Sequence, residues 1–353
     1  MNQFRWLAAT LMLVAAMVVP STAWAQNTIT PTKPANGVGT EASPYQISSK
    51  EELYWFAGLV NGDASVCTGN VTQNTAACAK LTASITVNTG VLDASGNLAG
   101  DVSGFSSWTP IGNNNNNRYT GTFDGNGYTI SGLYFNSSNT DYVGLFGYIS
   151  GGTIKNVGIV DSYFNGREDV GGLCGNNQGT ISDCYFFGSV SGNNDVGGLC
   201  GEMYNGSLSS CYFVGTVSGS SYTGAVCGYI DRATITNCFF NSDIFSGVAV
   251  EKNDGGTITN VVAKTTDQFK SGEVAYQLNG DRDVWGQTIN TNDYPIFGGS
   301  KVYATTGCVS YSNDPNHTGA VAHDFTHGTD GKCSNCGNYE EPVQDVNGVY
   351  QID

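Results

Sequence analysis

Two groups of residues have the types and spacing to do chemistry. The first lies in the C-terminal tail. Cys308, His317, His323, His327 and Cys333-Ser-Asn-Cys336-Gly337 fall within 30 residues, and they include all 3 histidines of the chain. A C-x-x-C-G turn lets two thiolates reach one tetrahedral zinc, and glycine permits the backbone bend. Cys308, His323, Cys333 and Cys336 are therefore the candidate zinc ligands, with zinc as the candidate cofactor. A Cys333–Cys336 or Cys308–Cys333 disulfide is the alternative in an oxidising compartment.

The second group is acidic. Asp169 and Asp195 each precede a valine at equivalent points of two successive repeats, with Glu168 and Glu202 nearby. Stacked one rung apart, at roughly 4.8 Å, two carboxyls form an acid–base pair or hold Ca²⁺. Asp169 and Asp195 are thus the candidate catalytic residues. Ordinary turn chemistry also explains them, because Asp and Asn suit turns between strands. The next equivalent pair is Ser221-Tyr222, so the carboxylates do not form a ladder. The repeat region contains no histidine, and G-x-S-x-G, H-E-x-x-H, phosphate-loop and G-G-x-G-x-D patterns are absent from the chain.

The elements that position these groups show themselves as a repeat. Val143-Gly-Leu-Phe-Gly147 recurs as Val170-Gly-Gly-Leu-Cys-Gly175, Val196-Gly-Gly-Leu-Cys-Gly201 and Thr223-Gly-Ala-Val-Cys-Gly228. A second block follows each copy: Gly152-Thr-Ile, Gly179-Thr-Ile, Gly206-Ser-Leu and Ala233-Thr-Ile, with a fifth at Gly256-Thr-Ile. Ile154, Ile181, Leu208 and Ile235 are spaced 27 residues apart. The apolar stretches are too short for helices, which excludes βαβ units. A fixed period with the same residue at each step points to a parallel coil, in which identical side chains stack in columns. Phe186, Phe213 and Phe240 form one expected column, and Val190, Val217 and Ile244 another.

Cysteine follows the same period. Cys174, Cys200 and Cys227 form one column, and Cys184, Cys211 and Cys238 another. A disulfide ladder is one reading. Buried apolar packing is favoured, because the equivalent residues in flanking copies are Phe146, Val157 and Val261. Rung spacing is also slightly too wide for an unstrained bridge. Cys67 and Cys78 flank a polar loop outside the array and are the candidate disulfide.

A solenoid needs capped ends. Ser49-Lys-Glu-Glu52 is a capping box, followed by Leu53, Phe56, Ala57 and Val60 at helical spacing and an Asn61-Gly62 stop. Residues 267–279 show a similar helical pattern at the other end. The last residues, Val349-Tyr-Gln-Ile-Asp353, echo Pro44-Tyr-Gln-Ile-Ser48, as if another copy of the unit were to begin. At the N-terminus Arg5, the apolar run Leu7–Val19 and Ala23-Trp24-Ala25 read as a secretory signal peptide. The expected organisation is signal peptide 1–25, linker 26–42, cap and irregular first rungs 43–118, repeats 119–262, C-terminal cap 263–303, Cys/His module 304–340 and a tail 341–353. The formal net charge of −16 disfavours nucleic acid and anionic lipid as partners. No segment after the signal peptide is long and apolar enough to span a bilayer.

The G-L-x-G core followed by a G-T-I block resembles the GLUG-motif repeats of bacterial surface proteins, over about residues 43–300. Thr120-Gly-Thr-Phe-Asp-Gly-Asn-Gly-Tyr-Thr-Ile130 is similar to their opening rung, while Ala225-Val226 departs from the Gly-Leu pattern. The tail also resembles small H…C-x-x-C-G modules found between repeat blocks of such proteins. The resemblance implies an all-β fold, a right-handed parallel β-helix with short capping helices, usually within adhesin-like proteins. The expected function is an extracellular binding or display module, with host or microbial glycans or surface proteins as partners. Tyr142, Tyr148, Tyr204, Tyr222 and Tyr229, beside rung turns, form a candidate stacking strip. A polysaccharide lyase or hydrolase and a passive spacer are the alternatives.

Overall fold

A computed structural model describes residues 29–307, 309–321, 343–344 and 350–351. It divides into two units, residues 1–265 and 266–353. The expected signal peptide lies outside the described residues.

The first unit is a parallel β-solenoid. Strands Phe146–Lys155, Cys174–Ser182, Cys200–Tyr204, Cys227–Asp231 and Val250–Asp254 stack on one another in parallel. Strands Gly158–Asn165, Tyr185–Ser191, Tyr212–Ser218 and Thr234–Asn241 make a second parallel stack. A short three-stranded sheet of Glu168–Gly171, Asn194–Gly197 and Ser221–Gly224 completes the coil. Each rung satisfies the backbone groups of the next, so the sequence period becomes the hydrogen-bond register. Ile154 pairs with Ile181, Ile181 with Leu208, Leu208 with Ile235 and Ile235 with Ile258.

The interior is made of the expected columns. Phe186 pairs with Phe213 and Phe213 with Phe240. The rings of Phe186 and Phe213 stack 6.1 Å apart at 7°. The second glycine of each G-G-L-C copy makes room for them. A Cβ on Gly172 would meet the Phe186 ring at 2.3 Å, and one on Gly198 would meet Phe213 at 2.6 Å. The valine column stops early: Val190 pairs with Val217, but Ile244 falls in a turn beyond the strand that ends at Asn241.

Helix Lys50–Asn61 covers the N-terminal rungs as its pattern requires. Ser49 Oγ accepts from Glu52 N at 3.2 Å, and Gly62 ends the helix in the left-handed region at φ 71°. Glu52 in turn accepts from Ser48 N at 2.7 Å, one residue earlier than in the usual reciprocal box. Phe56 lies against Phe123 and Tyr119, with ring centroids 5.9 and 6.2 Å away.

In the second unit, the expected helix over 267–279 is two short helices, Thr266–Lys270 and Glu273–Asn279, separated by Ser271 and by Gly272 at φ 90°. A glycine in that conformation breaks the run. Phe269, Val274, Ala275, Leu278 and Trp285 are buried. Trp285 stacks on Phe297 across an antiparallel pair. The echoing Tyr-Gln pair has two fates: Tyr45–Ile47 joins the parallel stack, whereas Tyr350–Gln351 pairs antiparallel with Val343–Gln344. Among the described residues no helix is long and apolar enough to cross a membrane.

Candidate functional site: an acidic strip between two tyrosine pairs

Two outward-facing columns run side by side along the first unit. One lies where each rung opens, with Tyr142 in a bend and Asp169, Asp195 and Tyr222 at strand positions that the ladder steps over, and all four adopt positive φ, between 49° and 60°. Asp tolerates this left-handed region, because its short side chain bonds locally. Tyrosine gains no such help, and a bulky residue there costs about 1–2 kcal/mol. The left-handed conformation therefore accounts for Asp169 and Asp195 but not for Tyr142 and Tyr222. The other column lies on the neighbouring strands, where Tyr148, Asn176, Glu202, Tyr229 and Lys252 are consecutive register partners.

The columns combine into a strip. Tyr142 and Tyr148 pair at 5.2 Å between ring centroids, and Tyr222 and Tyr229 at 6.0 Å. The two rungs between these pairs carry Asp169 with Asn176, and Asp195 with Glu202. Three rung spacings of about 4.8 Å separate the tyrosine pairs, about 14 Å in all.

Hydrogen bonds tie the acidic centre together. Asn176 Nδ2 donates to Asp169 Oδ2 at 3.2 Å and to Glu202 Oε2 at 2.5 Å. Asn194 Nδ2 donates to Asp195 Oδ2 at 2.7 Å. Asn176 Oδ1, Asp195 Oδ1 and Thr223 Oγ1 are buried and have no partner. Burial, reinforced by the Glu202 charge, holds the Asp169 carboxyl well above the usual carboxylate range. Burial and the charges of Glu202 and Glu168 push Asp195 up to about 6. Glu202 is also raised, chiefly by burial. The nearby cations are committed elsewhere. Arg167 pairs with Asp141, Lys252 with Asp254, and Arg232 with Asp231, while Arg118 lies over the Tyr148 ring at 4.6 Å.

The two ends of the strip differ. Tyr148 is buried beneath Arg118, and its hydroxyl accepts from Gln178 Nε2 at 2.5 Å. Asn115 Nδ2 donates to the Tyr142 hydroxyl at 3.1 Å. At the open end, Tyr222 is 37% exposed. Tyr204 stands apart from both pairs, with the Arg232 guanidinium 4.6 Å from its ring centroid.

The structure therefore brings Asp169 and Asp195 together with four of the five expected tyrosines. Asn176 was not singled out by its sequence, and its register with Tyr148 and Glu202 is the signal that finds it. Cys67 and Cys78 are separate thiols, not joined to each other. Cys67 Sγ lies 3.9 Å from Gly58 O, and Cys78 Sγ accepts from Thr122 N at 3.4 Å. The Cys columns are buried free thiols. Cys174 Sγ donates to Asn176 O, Cys184 Sγ to Ser182 O and Cys211 Sγ to Ser209 O, each at 3.1 Å. The candidate zinc ligands Cys308, His323, Cys333 and Cys336 lie outside the described residues. Of the three histidines only His317 is described, with Nε2 3.0 Å from both the hydroxyl and the carbonyl of Ser310.

The GLUG motif matches residues 166–191, the segment holding Asp169 and Asn176. The chain is 31% identical over 159 residues to halomucin of Haloquadratum walsbyi, which is 44% of this chain and 2% of halomucin. It is 40% identical over 80 residues to a proposed Gly-rich membrane protein of Evansella cellulosilytica, 22% of this chain and 9% of that one. The chain thus spans only a small part of the length of these curated relatives. A proposed immunoglobulin A1 protease from Bacteroides ovatus aligns at a TM-score of 0.47 and 18% identity, over 76% of this chain and 96% of that one. That likeness assigns neither activity nor residues here. By its motif and by the stacked rungs around it, the chain carries a GLUG-motif parallel β-solenoid.

Proposed function

We propose that the protein is an adhesin-like binding and display module, secreted or held at the outer cell surface, whose tyrosine-flanked strip binds glycan. The observation that carries this reading is the pair of tyrosines in the left-handed conformation, Tyr142 and Tyr222, each set against a second tyrosine one strand away. Aromatic faces pack on sugar rings, and the carboxylates and amide between them supply polar contacts. Similarity to a protein named as a membrane protein agrees with a place at the cell surface. A glycan array probed with the full chain tests the proposal. Selective capture of a subset of glycans is the expected result. Binding to no glycan, with the fold intact, would overturn it in favour of a passive spacer.

A polysaccharide-degrading activity is the second reading, favoured by the lifted Asp169 and Asp195 carboxyls. It requires reducing or unsaturated ends to appear from a bound polymer, and to be lost in the Asp169→Asn/Asp195→Asn double variant.

A further inference from the structure

The centre of the strip holds more acceptors than donors. Asp169, Asp195 and Glu202 bring three carboxyls, and the amide groups of Asn176 and Asn194 are the side-chain donors to them. Asn176 is only 4% exposed, its amide sits between two of these carboxyls, and its Oδ1 has no partner. One rung on, Asp195 Oδ1 is orphaned, and Thr223 Oγ1 one rung further. A buried acceptor without a donor is costly, and so are like charges held together. Charged and titratable groups line this face on every side. Glu168 and Asp141 flank the first column, Glu251 accepts from Thr223 N beside Tyr222, Asp231, Asp254, Lys252 and Tyr229 flank the strands, and Tyr142, Tyr148 and Arg118 close one end. The ion pairs and ring contact of Arg118, Arg167, Arg232 and Lys252 already occupy the cations.

A ligand that completes this centre must bring both positive charge and hydrogen-bond donors. A bare divalent ion needs several oxygens on one point. Among the described residues no three acidic, histidine or cysteine side chains are grouped to hold one. Aromatic faces beside the carboxyls favour an organic cation instead, because a ring face attracts an ammonium group. The open end of the strip, at Tyr222, is where such a ligand can approach.

We propose that Asp195 and Glu202, beside Tyr222 and Tyr229, form the subsite for the ammonium group of an amino sugar within the bound glycan. This rests on the glycan-binding reading above. The sugar ring packs on the open tyrosine pair and its ammonium group donates to the carboxylates. The same carboxylates disfavour uronate and sulfated glycans. Protonation of Asp195, which begins as pH falls towards about 6, weakens the same contact.

The test is titration calorimetry of the full chain at pH 7 with a β-1,4-linked glucosamine trimer, its N-acetylated counterpart and calcium chloride alone. The proposal expects the free amine to bind at least about tenfold more tightly than the acetylated trimer, the value of one such contact. It also expects that preference to shrink with added salt and to vanish in Glu202→Gln, whose melting temperature stays level or rises. Equal binding of the two trimers would overturn the ammonium subsite while leaving the glycan strip standing. If neither trimer nor any arrayed glycan binds, both readings fall. Micromolar calcium binding lost in Glu202→Gln would assign the centre to a metal ion and overturn the proposal.

Discussion

The inside and outside of the same strands follow different rules. Inside, one position keeps its residue type from rung to rung. Phenylalanine stacks on phenylalanine, the Cys174 column runs from Phe146 to Val250, and the Cys184 column ends in Val261. Outside, the column beginning at Tyr148 changes at every step, through Asn176, Glu202 and Tyr229 to Lys252. The interior is satisfied: its rings are stacked and several of its thiols donate to nearby backbone carbonyls. The strip is not: it holds orphaned acceptors, clustered carboxyls and tyrosines in the left-handed conformation. Packing dictates the first pattern. The second costs stability, and the binding role proposed above gives a reason to retain it.

Breaking the interior gives the largest effect. Phe213→Ala removes a buried ring from the middle of its column and costs about 3–5 kcal/mol, read as a lower midpoint in urea unfolding. A loss below about 1 kcal/mol would mean that the column is not the structural spine.

The strip responds in the opposite direction. In the folded chain Asp169 and Asp195 keep protons at pH values where unfolded carboxyls have lost them. The unfolded state then binds fewer protons, so stability falls as pH rises, through the window from 3.8 to about 6 for Asp195. Asp169→Asn keeps a residue suited to the left-handed conformation and still accepts from Asn176, but carries no charge. Its melting temperature at pH 7 should rise by about 2–4 °C, and the gain should disappear at pH 4. A fall at pH 7 would show that the ionised carboxylate is compensated.

The smallest effect is expected from the cysteines. Cys184→Val puts into the column the residue type already present at Val157 and Val261, and should change stability by less than about 1.5 kcal/mol. Burial pushes the Cys174, Cys200, Cys211 and Cys227 thiols up, so a thiol reagent should leave them unlabelled in the folded chain. Rapid labelling would mean that these columns open to solvent.

The interior was legible because period alone specifies it: a residue every 27 positions in a parallel coil must meet its copy. The capping helix was legible through Ser49 and Gly62 for the same local reason. Ile244 misled because its chemistry fits the valine column while the chain around it turns away from the strand. The strip was visible only in pieces. Asp169 and Asp195 read as ordinary turn residues, and the tyrosines as a strip beside rung turns with no link to those carboxyls. Asn176 has no local signal at all. Only the register, which places Asn176 between Tyr148 and Glu202, makes the pieces one surface.

The most direct measurement compares glycan capture and melting temperature in the Tyr222→Asn/Tyr229→Ser double variant. Asn accepts the left-handed conformation that Tyr222 adopts at a cost. The account predicts that capture is lost while the melting temperature holds or rises. Undiminished capture, or a melting temperature that drops as far as that of Phe213→Ala, would contradict it and make the tyrosine pair part of the structure.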